Sequence, residues 1–224
     1  MYKQMTPIVL TLQSLNTEYL AYLIKYPLLT KSITSGILSG LNETISSAIT
    51  NEYKETKILG FNIKHVFSPK LINMIIYGSL ISTPISHNLY GIINQIFKPP
   101  LSSKQKILRL LTSLFTVTPL ITACFVSWIS IINNYKINLK NFNPINEILK
   151  LINIIKAGLK KGYLTTLKTS LIVSFLSLII ANNYIQPELW VVFFNIVFFI
   201  LGTYQNTKLK RLQKQQRLSL EKED

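Results

Sequence analysis

Residues 31–50 read KSITSGILSGLNETISSAIT, a stretch in which small side chains recur at every fourth position. In an α-helix such positions lie on one face, so they form a smooth strip that a second helix can approach closely. Membrane helices use this device because lipid removes the hydrophobic drive for association. The strip consists of Ser32, Gly36, Gly40, Thr44 and Ala48. It predicts a membrane helix packed at the centre of a bundle.

Four further windows contain no charged side chain and measure 27, 26, 19 and 19 residues. About 20 mostly apolar residues cross a ~30 Å hydrocarbon layer as a helix. The windows are Leu71–Phe97, Leu110–Tyr135, Thr169–Pro187 and Leu189–Thr207. A soluble bundle would need more charged surface than 15% charged residues supply. We therefore predict an all-α, polytopic membrane bundle of four or five transmembrane helices with amphipathic surface helices.

Prolines mark the start of the first predicted span and lie inside the second and third. Pro27 opens a span from Leu28 to Thr50, because proline is well tolerated in the first turn of a helix. Pro84 and Pro119 remove backbone donors inside the second and third spans, so each predicts a kink or break. The second to fifth spans are Lys70 to Phe97, Gln105 to Asn133, Tyr163–Ala181 and Pro187 to Tyr204, and Asn51–Ser68 is predicted to be a polar loop.

The chain divides into three predicted parts. Residues 1–26 form an amphipathic N-terminal helix, residues 27–207 a membrane-embedded domain, and residues 208–224 a basic polar tail. Within the domain, Asn138–Lys161 is predicted to lie at the headgroups, and Lys208, Lys210 and Arg211 of the tail are expected to meet them too. With five crossings, the Asn51–Lys70 loop, the stretch 136–168 and the tail share a strongly basic side. The positive-inside rule places that side in the cytosol or matrix.

The composition excludes several functional classes. The net charge of +15 does not indicate nucleic acid, because Lys and Arg cluster between the apolar windows, where membrane proteins carry them. A single cysteine, two histidines and one aspartate show no metal-ligand spacing, and no phosphate-binding glycine motif is present. We predict no catalytic, metal or cofactor site and no enzymatic activity. An intramembrane enzyme would require Glu43 and His87 within hydrogen-bond reach.

Two ionisable side chains inside predicted spans are the main functional candidates. Intramembrane acids are costly and indicate function by default, so Glu43 is predicted to line a watery path or to pair with Lys31 or with a basic residue of another span. The alternative is a helix-end residue that reaches the interface. His87 could gate a path by protonation, or serve as a hydrogen-bonded packing residue. A polar interior that includes Asn73 and Asn88 would suit either role.

Several motifs resemble a known family. They are YPLLTK (residues 26–31) with TSGILS (34–39), YGSLISTPISH (77–87) with Tyr90, the third-span Pro119, and WVVFFN (190–195) with GTY (202–204). Together they resemble the peroxisomal membrane protein 2 family, also called the 22 kDa peroxisomal membrane protein family, in its fungal peroxisomal form. The sequence departs from the family pattern at Asn42-Glu43, at Thr83 and around residues 174–182.

The resemblance implies a multi-pass protein of the peroxisomal membrane, with the mitochondrial inner membrane of other family members as the alternative. It implies either a channel that helps small solutes cross or a non-transport scaffold that maintains the organelle. The lipid bilayer is the predicted partner, and a homo-oligomer is expected. The candidate pore or packing residues are Glu43, His87, Pro84, Tyr90, Gly36, Gly40, Lys31, Pro27, Pro119 and Asn195.

Overall fold

The computed structural model describes residues 17–58, 61–98, 100–136, 143–184 and 190–220, and it is almost entirely helical there. Residues 1–16 of the predicted N-terminal helix, Pro187 and the last four residues of the tail lie outside these ranges. The elements are α1 (residues 17–25), α2 (Pro27–Ile49), β1 (Lys54–Ile58), β2 (Phe61–His65), α3 (Pro69–Ile76), a π-helical segment (Tyr77–Ser82), α4 (Thr83–Ile96), α5 (Ser103–Asn134), α6 (Pro144–Tyr184) and α7 (Trp190–Leu220).

Small polar side chains fill much of the interior, while large apolar side chains cover the outside. The buried group includes Ser46, Ser47, Thr122, Ser130, Thr166, Ser170, Ser174 and Ser177. The exposed group includes Ile33, Ile37, Leu41, Ile45, Phe115, Ile172, Phe175 and Phe198. This distribution suits an outer face solvated by lipid and an interior in which small residues let helices approach. The all-α membrane bundle predicted from the sequence is confirmed.

Two of the described helices are long and apolar enough to cross a membrane, judged by length and composition. They span Lys104–Asn134 and Pro144–Ala181. The total of four or five crossings stays a prediction. The spans predicted around α2, α3–α4 and α5 match the observed helices to within one or two residues.

Helix α2 packs against α3, the π segment, α4 and α7. Gly36 and Gly40 are buried, and a Cβ atom at Gly40 would lie 3.0 Å from Cγ1 of Ile75. A Cβ at Gly36 would lie 3.2 Å from Cβ of Ser79. The central glycines of the strip therefore permit a close helix crossing, whereas Ala48 at its end is exposed.

The π-helical segment lies immediately before Pro84. Because proline has no N–H, the hydrogen-bond ladder must shift there, and a π-type bulge is a common way to absorb this. The hydroxyl and the backbone N–H of Thr83 both donate to the carbonyl of Gly78, with a hydroxyl distance of 2.8 Å. The interruption predicted at Pro84 thus takes the form of a wider turn rather than a helix end.

The break that Pro119 allows in the third span is absent, because α5 runs continuously through it, and the kink stays a prediction. The carbonyl of Pro119 accepts a hydrogen bond from the hydroxyl of Tyr163 at 3.4 Å. Helix α5 begins with a capping box in which Ser102 and Gln105 satisfy each other's backbone N–H groups.

Helix α6 also differs from its prediction. The predicted headgroup helix and the fourth span are one continuous helix of 41 residues. At 1.5 Å per residue this is about 60 Å, roughly twice the hydrocarbon thickness. Gly158 lies against Ser130 of α5, which brings the two helices into close contact across the predicted boundary.

Residues 51–68 are not only a polar loop, because β1 and β2 form an antiparallel hairpin there. Lys54 pairs with His65 and Ile58 with Phe61 in the register. The hydroxyl of Thr56 lies 2.6 Å from Nε2 of His65, and Lys64 forms an exposed ion pair with Glu55 at 3.5 Å. The short hairpin leaves the fold class unchanged.

An aromatic cluster joins the π segment to α5. The rings of Tyr77 and Phe125 have centroids 5.8 Å apart, and those of Tyr77 and Trp128 are 6.4 Å apart. The indole N–H of Trp128 donates to the carbonyl of Asn73 at 3.0 Å. Met74 and Ile129 complete this core. Trp128 therefore anchors a helix pair in addition to lying near the end of its span.

Candidate functional site: a buried ion pair between α2 and α7

Glu43 of α2 and Lys210 of α7 form a buried ion pair. Their side chains are 2% and 5% exposed, and Lys210 Nζ lies 2.6 Å from Glu43 Oε1. The distance is short enough for a charge-assisted hydrogen bond. Burying either charge alone would be costly, so each makes the burial of the other tolerable. The pair joins the first long helix of the bundle to the last one.

Two neutral side chains, Asn206 and Ser47, complete the coordination of the carboxylate. Asn206 of α7 donates from Nδ2 to Glu43 Oε2 at 2.8 Å and to Ser46 Oγ at 2.9 Å. Ser47 donates to Glu43 Oε1 at 3.2 Å and accepts from Lys210 at 2.5 Å. Since an ionised carboxylate is only an acceptor, these donors satisfy both of its oxygens.

A second acid and a second lysine lie at the rim of the cluster. Glu52, which follows α2, has Oε2 3.3 Å from Lys210 Nζ and 3.9 Å from Lys70 Nζ. Both rim side chains are about one third exposed. Two carboxylates and two ammonium groups therefore balance, and the four-residue group carries no formal net charge.

The helix contact continues toward the N-terminus of α7. Thr203 donates to Oδ1 of Asn42 at 2.5 Å, and Gln205 donates to Ser170 Oγ of α6 at 2.9 Å. A Cβ atom at Gly202 would lie only 2.7 Å from Nδ2 of Asn42. Helix α7 thus presents polar groups to both α2 and α6.

A cavity of about 10 Å³ lies beside the ion pair. That volume is at the lower limit for one water molecule. Its walls include Glu43, Asn206, Lys210 and the buried Oδ1 of Asn133, which has no hydrogen-bond partner among the described residues. The space next to the charges is therefore too small for a solute larger than water.

The structure brings some of the predicted residues together and separates others. Glu43 is paired with a basic residue of another helix, whereas Lys31 is exposed on α2, about three turns away. His87 is partly buried and Tyr90 is exposed, both on α4. Pro27 is the first residue of α2, and Gly36 and Gly40 lie where α2 crosses α3 and the π segment. Pro84 lies at the start of α4, and Pro119 lies within α5. Asn195 lies on α7, outside the described side chains.

The sequence reading missed Lys210 and Asn206. Lys210 was expected at the headgroups, yet it is buried, because its charge is neutralised by Glu43 and Glu52. A signal was present in the spacing: Glu43, Ser46, Ser47 and Thr50 share one face of α2, and Asn206 and Lys210 share one face of α7. Two polar faces on different helices indicate a contact only when both are considered together.

The fold and this cluster define an integral membrane protein of the helical-bundle class. The Mpv17 / PMP22 family model matches residues 150–206, which include Asn206 but neither Glu43 nor Lys210. The relatives below are matched over most of the chain. The chain belongs to the Mpv17/PMP22 family, which confirms the resemblance read from its motifs.

The relatives come from two fungi and a slime mould. The Woronin body membrane protein wscA of Aspergillus fumigatus is 36% identical over 197 residues, covering 87% of this chain and 77% of the relative. The Woronin sorting complex protein of Neurospora crassa is 30% identical over 198 residues, covering 88% of this chain but only 58% of that longer relative. PXMP2/4 family protein 3 of Dictyostelium discoideum is 27% identical over 198 residues, covering 88% of this chain and 92% of the relative. No solved structure matches significantly.

Proposed function

We propose that this protein is a multi-pass component of a peroxisome-type organelle membrane, where it organises or sorts other components without enzymatic activity. Two relatives are named for the Woronin body and for a Woronin sorting complex, and the Woronin body is peroxisome-derived. The observation that carries the proposal is the closed packing around the buried charges. Glu43, Lys210 and Asn206 bind one another beside a cavity of about 10 Å³, so the intramembrane charges serve to hold helices together.

Surfaces outside the bundle core are available for partners. The hairpin carries exposed charged side chains at Lys54, Glu55 and Lys64. Helix α6 is about twice as long as a bilayer crossing requires, so part of it projects beyond the hydrocarbon layer. A bundle locked by a buried ion pair and displaying such projections fits a scaffold.

The test of this proposal uses a fluorescently tagged full chain, imaged with peroxisomal and mitochondrial markers in a strain that lacks the native gene. We expect peroxisomal staining, and an altered number or position of peroxisome-type organelles that the wild-type chain restores. Glu43→Ala should fail to restore it, whereas Gly91→Ala should succeed, because Gly91 has no atom near the added methyl group. Purely mitochondrial staining, or organelles that are unchanged by the deletion, would contradict the proposal.

Solute permeation is the second candidate, and one observation favours it. A column of buried hydroxyl side chains follows one face of α6, comprising Thr166, Ser170, Ser174 and Ser177. Such a column could line a path through the bundle of each protomer, although it equally suits close helix packing. The polar atoms of Ser170 already contact Gln205 of α7.

A flux measurement separates the two candidates. Purified protein in liposomes is expected to leave the release of a small neutral solute at the protein-free baseline, because the space beside the buried charges is only about 10 Å³. The control is the double variant Glu43→Leu, Lys210→Met, which removes the buried charges together. If the wild type releases the solute above baseline and the double variant does not, the result would favour permeation over the scaffold role. Cross-linking of the same liposomes tests the expected homo-oligomer.

A further inference from the structure

A second, much larger cavity opens between α5, the first half of α6 and the late part of α7. Its volume is about 960 Å³, within the range of sites that take small organic ligands. Most of its walls are apolar, and two of its leucines, Leu149 and Leu212, are 53% and 45% exposed although they face this cleft. The apolar wall residues are Val126, Ile129, Leu149, Ile154, Ala157, Leu209 and Leu212.

The polar part of the lining is positively charged. It contains Lys150 and Lys161, and no carboxylate side chain lines the cleft among the described residues. Lys150 Nζ is held 2.7 Å from the carbonyl of Lys136 and 5.4 Å from the ring centroid of Tyr135, and it forms an ion pair with Glu147 Oε2 at 3.8 Å. Lys161 is exposed and makes no ion pair within the described part of the chain. Lys161 therefore supplies the uncompensated positive charge of the cleft, which is complementary to an anion.

Amide groups surround the two lysines. Asn134, Asn146 and Asn153 line the cleft and are exposed, so their donors can reach a bound group. A pocket that combines lysines, amides and a long apolar wall matches an amphiphile with an anionic head, and it does not match a purely polar solute. Basic pockets between membrane helices on the cytosolic or matrix side commonly hold anionic lipid headgroups.

The position of the cleft agrees with this chemistry. It lies at the end of α5 where Trp128 and Tyr135 occur, residue types that prefer the membrane interface. It also lies at the end of the bundle where Lys210 meets Glu52, the side predicted to be rich in basic residues. A phospholipid of the adjoining leaflet could place its head at the lysines and an acyl chain along the leucines.

We propose that this cleft binds one anionic glycerophospholipid from the bilayer, with its phosphate at Lys161 and Lys150 and an acyl chain against Leu149, Ile154 and Leu212. The site is separate from the Glu43 cluster, and it does not depend on the scaffold role. It would tie the extended first half of α6 to the membrane surface. Neither a soluble solute nor a second copy of the chain accounts for both the lysines and the apolar walls.

The test is native mass spectrometry of the full-length protein, purified in mild detergent and titrated with phosphatidylglycerol or phosphatidylcholine. We expect one retained molecule of phosphatidylglycerol and much weaker retention of phosphatidylcholine. Lys161→Ala should weaken retention about fivefold, the effect of one lysine near a lipid phosphate. The matched control is Lys160→Ala, which removes an exposed lysine of the same helix that does not line the cleft.

A second variant tests the apolar half of the site. Ala157→Phe places a ring in the cleft from an exposed position, so the fold should persist while both lipids lose affinity. Thermal melting in detergent confirms that the variants are folded. The proposal fails if the folded wild type retains no phosphatidylglycerol, if phosphatidylcholine binds equally well, or if Lys160→Ala and Lys161→Ala have the same effect.

Discussion

Glu43→Ala is expected to lower the free energy of unfolding by about 3–5 kcal/mol, because it leaves the buried Lys210 with only the partly exposed Glu52, 3.3 Å away, as a counter-charge. Lys210 is 5% exposed, so water cannot take over the role of the lost carboxylate. Asn206 and Ser47 would each lose an acceptor in the same change. The protein is heated in detergent, and size-exclusion chromatography then measures the fraction that stays monodisperse.

The matched control for this variant is Glu55→Ala. Glu55 also forms an ion pair with a lysine, but its side chain and that of Lys64 are 56% and 70% exposed. Exposed pairs contribute about 0–1 kcal/mol, so this variant should melt close to the wild type. A melting temperature for Glu43→Ala equal to that of Glu55→Ala would show that the buried pair does not stabilise the bundle.

A double variant distinguishes loss of the pair from loss of one partner. Replacing both charges, as in Glu43→Leu with Lys210→Met, leaves no uncompensated charge and should recover most of the stability lost by Glu43→Ala. Residues in direct contact are expected to be non-additive in such a cycle. A double variant that is less stable than either single variant would show that the ion pair contributes net stability to the bundle, beyond the mutual compensation of its two charges.

Gly78→Ala is expected to have the second-largest effect on stability. A Cβ atom at this position would lie 2.5 Å from the backbone oxygen of Ser35 and would also contact the hydroxyl of Ser39. A hydroxyl can rotate away, but a helix carbonyl cannot, so α2 and the π segment would have to separate. We expect a loss of about 1–3 kcal/mol for alanine and more for valine. The readout is the same heat treatment and chromatography.

Gly91→Ala is the matched control, because Gly91 lies on α4 and no atom lies within 4 Å of an added Cβ. Alanine favours a helix over glycine by about 1 kcal/mol, so this variant should be at least as stable as the wild type. Equal melting of Gly78→Ala and Gly91→Ala would show that the crossing of α2 over the π segment is looser than the structure indicates.

Membrane insertion was predictable because the signal is local. A run of about 20 apolar residues crosses a bilayer whatever it packs against, so the windows around α3–α4 and α5 predict their helices from sequence alone. Pro27 marks the start of α2 for the same reason, since its effect on backbone geometry does not depend on distant residues. The family motifs also lie within single segments.

Local patterns failed where a distant contact alters the outcome. Pro119 predicts a kink or break, and the break is absent because α5 continues through it, while the carbonyl of Pro119 accepts from Tyr163 of another helix. The boundary predicted near residue 162 is absent, since one continuous helix spans Pro144–Tyr184, and its Gly158 packs against Ser130 of α5. The division of α6 into a headgroup helix and a separate span was predicted from each segment without its neighbours.

Hydropathy and charge spacing thus establish that the chain is a helical membrane protein, because the free energy of transfer into lipid depends on each segment separately. The identity of the partner of Glu43 comes only from the folded molecule. Lys210 lies 167 positions away in the chain, and at that separation no spacing rule connects two side chains. Their contact depends on how α2 and α7 are aligned against each other, which the packing of all the helices sets together.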